Sequence, residues 1–442
     1  MSWRKPADRL LVHAIVQAFR GDAERSFVQL STASPQAWEK TEYWINTSGL
    51  AFYLLDQVIA LGIGNAVHPE VFQRLRANLR KNKVRSNAMF REFVALNAAF
   101  RSAGVTYFNH KGFTLCPHAC PSPEQRHQLD FDVVVDCKHL EAARECLESR
   151  GYRLSAATQN TWEFKAGNYA RRNWDLYSMG TSRSVELHFG NGSESANDER
   201  LKRISNWTWA GHEYPALAPA DQLIGQALHL FAHLRSENTR PAWVLEFRRH
   251  IISRRDDCAF WVSVRQLAAD RKYAAAALGT SILLASQLFG RCAPPEFERW
   301  AVYSVSPPVR LWVERYGVDA VLADFPGTKL FLFLEEEIER LEARPAKAVR
   351  TRLLPMHAGR AVFTARTGET RAERMDRIWA QVRFMRFRAR FHLVEAGRYL
   401  IERHGWKRAL LRQRAGSAMA SQAGREMTNR KQLNDNFGPT SV

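Results

Sequence analysis

The chain has 442 residues, 45% of them hydrophobic and 25% charged, a composition that excludes a disordered or fibrous protein and a length that predicts two or three domains. Sixty-four lysines and arginines against 45 acidic residues leave a net charge of +19, which points to anionic company such as nucleotides, nucleic acid or lipid headgroups. Six cysteines are too few for a disulfide framework, the first residues lack a signal-peptide pattern, and the most apolar run, 274–289, is short for a bilayer span; a cytoplasmic protein is expected.

In chain order, residues 1–100 predict helices. Leu10, Leu11, Ala14, Ile15, Ala18 and Phe19 share one face, and Met89, Phe90, Phe93, Leu96 and Phe100 another. A basic cluster lies between them at Arg74, Arg76, Arg80, Lys81, Lys83 and Arg85. Mixed structure follows: a strand over 105–108, a turn at His110-Lys111-Gly112, a strand over 131–135, and a helix over 140–147 closed by Gly151. Strands are predicted over 162–164, 173–177 and 184–189, with Gly180-Thr181-Ser182 turning between the last two. Past Pro219 the spacing is helical through Leu234, over 243–252 and over 274–289.

Between Arg340 and Arg414 basic residues outnumber acidic ones roughly three to one. Helices are predicted there over 378–391 and 393–411, with Phe384, Phe387, Phe391, Tyr399 and Trp406 spaced as a buried face and the arginines on the solvated side. A polar tail after Gly416 is expected to be unstructured. The fold class is α+β: a helical region 1–100, a mixed core 101–215, a helical domain 216–295 and an Arg-rich helical region 296–442.

The chemistry concentrates in the core. Asp130 and Asp132 are two residues apart, so on a strand both carboxylates face one way while Phe131 and Val133 enter the interior. Hard oxygen donors placed so suit magnesium and leave positions open for phosphate oxygens. Glu186 interrupts the apolar run Val185 to Phe189 and completes a three-carboxylate cluster if its strand pairs with the first; otherwise it is an edge residue facing solvent. Gly112 lets the backbone approach a phosphate, and a helix is expected to follow it. Cys116 and Cys120, around His118, read as incidental loop residues rather than a metal clip. His229 and His233 share a helix face but lack the His-Glu-x-x-His arrangement, so a packed core role is favoured.

In this order the pieces resemble the uncharacterised nucleotidyltransferase family of the polymerase-beta-like superfamily. Its members carry a Lys-Gly turn, an arginine four residues before an Asp-x-Asp strand, and a later acidic-x-His strand; here those are Lys111-Gly112, Arg126, Asp130/Asp132 and Glu186/His188. The likeness continues through Asp221-Gln222-Leu223, His229, His233 and Trp243-Val244-Leu245-Glu246, over roughly residues 80–255. Residues 116–123 are an unusual filling, and Glu246 stands where aspartate is expected.

The resemblance implies a nucleotidyltransferase-fold core in which Asp130, Asp132 and Glu186 hold magnesium (or manganese) and carry catalysis. Lys111, Gly112 and Arg126 would bind the nucleotide, although Arg126 reads equally as a structural ion-pair partner of Asp130 or the sheet edge. A nucleoside monophosphate would pass from an NTP to a hydroxyl of a protein, sugar or small molecule, releasing pyrophosphate. Association with bacterial surface-polysaccharide loci is also implied by the family, although no residue here specifies a sugar. Two other readings compete: an inactive relative that binds nucleotide or a partner, and a nucleic-acid-binding helical protein gripping phosphates through 340–414. A membrane-surface role fits that same basic region.

Overall fold

The computed structural model describes residues 6–167, 176–177, 183–190, 196–271, 273–342, 349–355 and 370–436. Asp8, Asp22 and Ser34 start helices α1 (Arg9–Ala18), α2 (Ala23–Ser31) and α3 (Pro35–Thr47) by accepting backbone N–H bonds from Leu11, Arg25 and Ala37, the capping that short polar side chains supply best. Helices α4 (Ala51–Ala60) and α5 (Pro69–Ser102) follow. Leu10, expected on the buried face of α1, is 84% exposed. At the end of α5 the Val105 N–H reaches back to Phe100 and Gly104 turns at φ +66. This closure consumes residues 103–106, so the first strand starts at 107 rather than 105.

The strands are β1 (Tyr107–His110), β2 (Phe131–Val135), β3 (Arg153–Ala157), β4 (Thr161–Ala166), β5 (Arg183–His188), β6 (Ile204–Trp209) and β7 (His212–Leu217). They form a seven-stranded sheet in the order β3-β4-β5-β2-β1-β7-β6. β5 runs parallel to β2 and β7 parallel to β1, while the other neighbours are antiparallel. The class is therefore α+β, a mixed sheet with flanking helices. β2 occupies the residues predicted for it, but Asp130 stands just before the strand rather than on it. Of the strand predicted over 173–177, Leu176 and Tyr177 form a turn and the rest lies outside the described residues, as does Gly180-Thr181-Ser182.

Alternation along the strands sorts the sheet into two faces. Tyr107, Phe131, Val133, Val135, Val185 and Leu187 join Phe93 and Phe100 of α5 and Leu147 of α6 (Leu140–Ser149) in one buried cluster. The opposite face carries Phe108 and Val134, packed with Leu217. Residues of that same parity at the other end of the strands are His110, Asp132, Glu186 and His188. One face makes the main core, and the other packs a small apolar cluster at one end and carries the polar residues at the other.

The chain continues as α7 (Ala196–Leu201), α8 (Pro219–Leu234), α9 (Pro241–Ser253), α10 (Cys258–Ala269), α11 (Ala274–Phe289), α12 (Pro295–Tyr303), α13 (Pro307–Trp312), α14 (Val318–Val321), α15 (Phe331–Leu341), α16 (Val349–Leu353) and α17 (Arg371–Asn436). A second apolar cluster joins α1 to α4 with α8 to α11, α15 and the Tyr399 and Trp406 side chains of α17. Phe333 of α15 stacks on both at 4.5 and 5.7 Å, the core packing their spacing predicts. The two predicted C-terminal helices are one, and it continues past Gly416, where an unstructured tail was expected. No proline interrupts 371–436, and its Ala, Arg, Gln and Met residues favour helix.

Candidate active site

Strand register puts His110, Asp132 and Glu186 in one row across β1, β2 and β5. His188, two residues along β5, projects to the same face. Its Nε2 lies 3.1 Å from Asp132 Oδ1 and 3.5 Å from Glu186 Oε2, while Nδ1 is 3.1 Å from Thr161 Oγ1 on β4. Ligand atoms of Asp132, Glu186 and His188 all fall within 4.8 Å of one another. Two carboxylates and an imidazole make a donor set that could hold a divalent cation. This trio differs from the one read in the sequence, with His188 in the place of Asp130. An acidic-x-His strand already puts the imidazole on the carboxylate face by period two, which is the signal that could have found it.

Asp130 nevertheless belongs to the same electrostatic cluster. Burial and the neighbouring Asp132 carboxylate push its carboxyl up, against Arg126, Lys111 and Arg240. Burial and both aspartates likewise raise Glu186. For Asp132, burial acts upward, but the His188 hydrogen bond and the Lys111 ammonium outweigh it and hold the carboxylate well below the usual range. Opposed shifts in adjacent carboxylates divide the cluster into a committed anion and two groups nearer to accepting a proton. His110 is half-buried and pushed down to about 3 by burial and Lys111, so it stays neutral.

Lys111 is held at φ 62 and ψ −158, a backbone region that a non-glycine residue rarely occupies. From there its Nζ lies 3.2 Å from Asp132 Oδ1. Gly112 follows at φ +57, and a Cβ on it would stand 2.5 Å from Gln128 Nε2. That amide donates to the Asp130 carbonyl at 2.8 Å, and Arg85 donates to the Gln128 carbonyl. Thus one arginine of the basic cluster at 74–85 braces the site. The helix expected after Lys111-Gly112 is a single 3-10 turn, Gly112–Leu115. Gln222 of α8 ties down this turn through Thr114, bonding both its carbonyl and its hydroxyl. Its neighbour Asp221 is buried between Arg203 and Arg271.

Arg126 is ion-paired, and its partner is Glu246 rather than Asp130 or the sheet edge. Its Nε donates to Glu246 Oε1 at 3.1 Å, and the Tyr53 hydroxyl donates to the same oxygen at 2.8 Å. Glu246, in the aspartate position of the resemblance, thus fixes Arg126 beside Asp130, whose field it also enters. Arg240, at the start of α9, was not singled out from the sequence. Its Cζ lies 5.3 Å from the Trp243 ring centre, its Nε is buried without a hydrogen-bond partner, and Asp130 and Glu246 partly offset its desolvation. His229 and His233 pack against each other and Trp243; burial pushes His229 down to about 2. Cys116 and Cys120 are buried free thiols, outside the metal-type group found among the described residues.

The profile of a family described as "uncharacterised nucleotidyltransferase" matches residues 34–290, more than half of the chain. The chain belongs to this family. Among solved structures, this nucleotidyltransferase family member is similar to an antigenic nucleotidyltransferase-like protein from Paracoccidioides brasiliensis, at 15% identity and a TM-score of 0.27. The match covers 45% of this chain and 91% of that one. No functionally curated protein matches. Family membership supports nucleotidyl transfer in general. Among the described residues no helix is long and apolar enough to cross a membrane.

Proposed function

We propose that the chain is an active, metal-dependent nucleotidyltransferase that moves a nucleoside monophosphate from an NTP to a hydroxyl acceptor. The carrying observation is the convergence of Asp132, Glu186 and His188 within 4.8 Å on one sheet face, with Asp130 in the field of Asp132. Asp130, Asp132 and Glu186, with His188 beside them, would hold the cation, and magnesium or manganese bound there would neutralise phosphate charge. Gly112 offers backbone to the triphosphate without a Cβ in the way, and Lys111 and Arg126 supply positive charge to it. Arg240 adds a guanidinium next to Arg126.

The acceptor oxygen attacks the α-phosphorus as the bond from that phosphorus to the β-phosphate bridging oxygen breaks, so pyrophosphate leaves with the bonding pair. The acceptor proton passes to a carboxylate. We assign that task to Glu186, which stands beside Asp132 in register on the neighbouring strand. In this reading 101–215 is the nucleotidyltransferase core and 216–295 the helical unit that supplies Gln222, Arg240 and Glu246. The acceptor is a protein, sugar or small molecule.

The test is pyrophosphate release from each of the four NTPs with magnesium or manganese, in the presence of a panel of hydroxyl acceptors. Metal-dependent release with one NTP supports the reading. Saturable nucleotide binding without release on any acceptor marks an inactive binding protein instead.

A further inference from the structure

The first turns of α17 carry a feature that the active site does not use. Met375, Ile378, Trp379 and Val382 recur at spacings of three and four, which places them on one stripe of the helix. They are 52%, 40%, 56% and 40% exposed. Arg371 and Arg386 continue the stripe at its two ends, Arg374 lies along one border and Arg383 along the other, and all four are exposed. Just past the stripe the helix is anchored, with Phe387 stacked on Phe325 and Arg388 paired with Glu237. The first turns therefore present an apolar stripe bordered by four arginines, with Asp376 beside Arg383 on one border.

We propose that this face docks on an anionic lipid surface. Apolar side chains sink to the boundary between headgroups and acyl chains, while arginines at the rim reach lipid phosphates. A second copy of the chain fits less well, because pairing the stripes sets arginine against arginine, each with its own counterpart in a parallel pair, and Arg371 with Arg386 and Arg374 with Arg383 in an antiparallel one. Nucleic acid uses the arginines but gives an exposed Met-Ile-Trp-Val stripe nothing to bury against. The inference stands apart from the reading of the active site.

Flotation of the full-length protein with vesicles of phosphatidylcholine alone, or with phosphatidylglycerol replacing part of it, tests the proposal. Binding is expected on the mixed vesicles only and should weaken with salt. Trp379→Glu with Val382→Glu should lower it at least about tenfold, as should Arg374→Gln with Arg383→Gln and Arg386→Gln. Circular dichroism of both variants reports that the fold is intact. Three outcomes overturn the proposal: equal flotation with neutral vesicles, flotation unchanged by the Trp379/Val382 pair, or a self-associated species in wild type that this pair dissolves. Retention on duplex DNA or RNA with no flotation overturns it in favour of nucleic acid.

Discussion

Asp132 and Glu186 are register partners on adjacent parallel strands, β2 and β5, and His188 bridges their carboxylates from two residues farther along β5. Parallel pairing brings together two acidic residues more than fifty positions apart in sequence, and Asp132 alone is held firmly ionised. Glu186→Gln keeps the side-chain shape but cannot take up a proton. The expected result is a fall in turnover of about 10²- to 10⁴-fold with a melting temperature close to wild type, measured by pyrophosphate release and calorimetry. An unchanged rate removes Glu186 from the chemistry.

Gly112→Ala tests the close approach at the turn. Its φ of +57 and the 2.5 Å encounter with Gln128 Nε2 mean that the new methyl displaces the amide holding the Asp130 carbonyl. The expected cost is about 1–2 kcal/mol of stability. In a nucleotide titration the apparent affinity should fall further than that cost explains, since the methyl also occupies the phosphate approach.

The Arg126–Glu246 pair separates bracing from direct use. Glu246 is buried and accepts from both Arg126 and Tyr53, so Glu246→Ala strands a guanidinium and a hydroxyl. A loss of about 3–5 kcal/mol is expected by denaturant unfolding. Glu246→Asp, the family's residue, should lose much less. If Glu246→Ala is as stable as wild type, the pair is not what fixes Arg126.

Acid sensitivity should come partly from His250. It is fully buried, its Nδ1 lies 2.8 Å from Gln226 Oε1, and burial pushes it down to about 3. The unfolded chain, with the ordinary histidine value of about 6.5, binds the proton first on acidification. Stability is therefore fully present above about pH 6.5 and is lost as pH falls from there towards about 3. His250→Gln should flatten the decline of unfolding free energy across that window by up to about 1.4 kcal/mol per pH unit; an unaltered slope contradicts the assignment.

What was legible in the sequence, and what was not, divides along physical lines. β2 reads directly from 131–135 because four apolar residues around Asp132 leave no other burial pattern. β3 was missed because nearly all of it is exposed, so no alternation marks it. The β6–β7 hairpin did leave a signal: Ala210 and Gly211 at φ 48 and 78 form a two-residue turn, but Pro215 inside β7 speaks against a strand. At the site, the carboxylates and the Lys111-Gly112 turn were legible as chemistry. His188 was legible only as the second half of the acidic-x-His strand, and Arg240 was not legible, since its importance depends on how α9 seats against Arg126. Arg126 read as a phosphate brace or an ion-pair partner of Asp130 or the sheet edge; its partner, Glu246, lies 120 positions away.

The central claim is that the Asp130, Asp132 and Glu186 cluster drives nucleotidyl transfer. It is tested most directly by incubating the protein with α-labelled ATP, GTP, CTP or UTP and magnesium or manganese, alongside Asp130→Asn with Asp132→Asn. Label transferred by the wild type to an acceptor, and lost in the double variant while its fold persists, is the predicted result. Equal transfer by both proteins contradicts the claim.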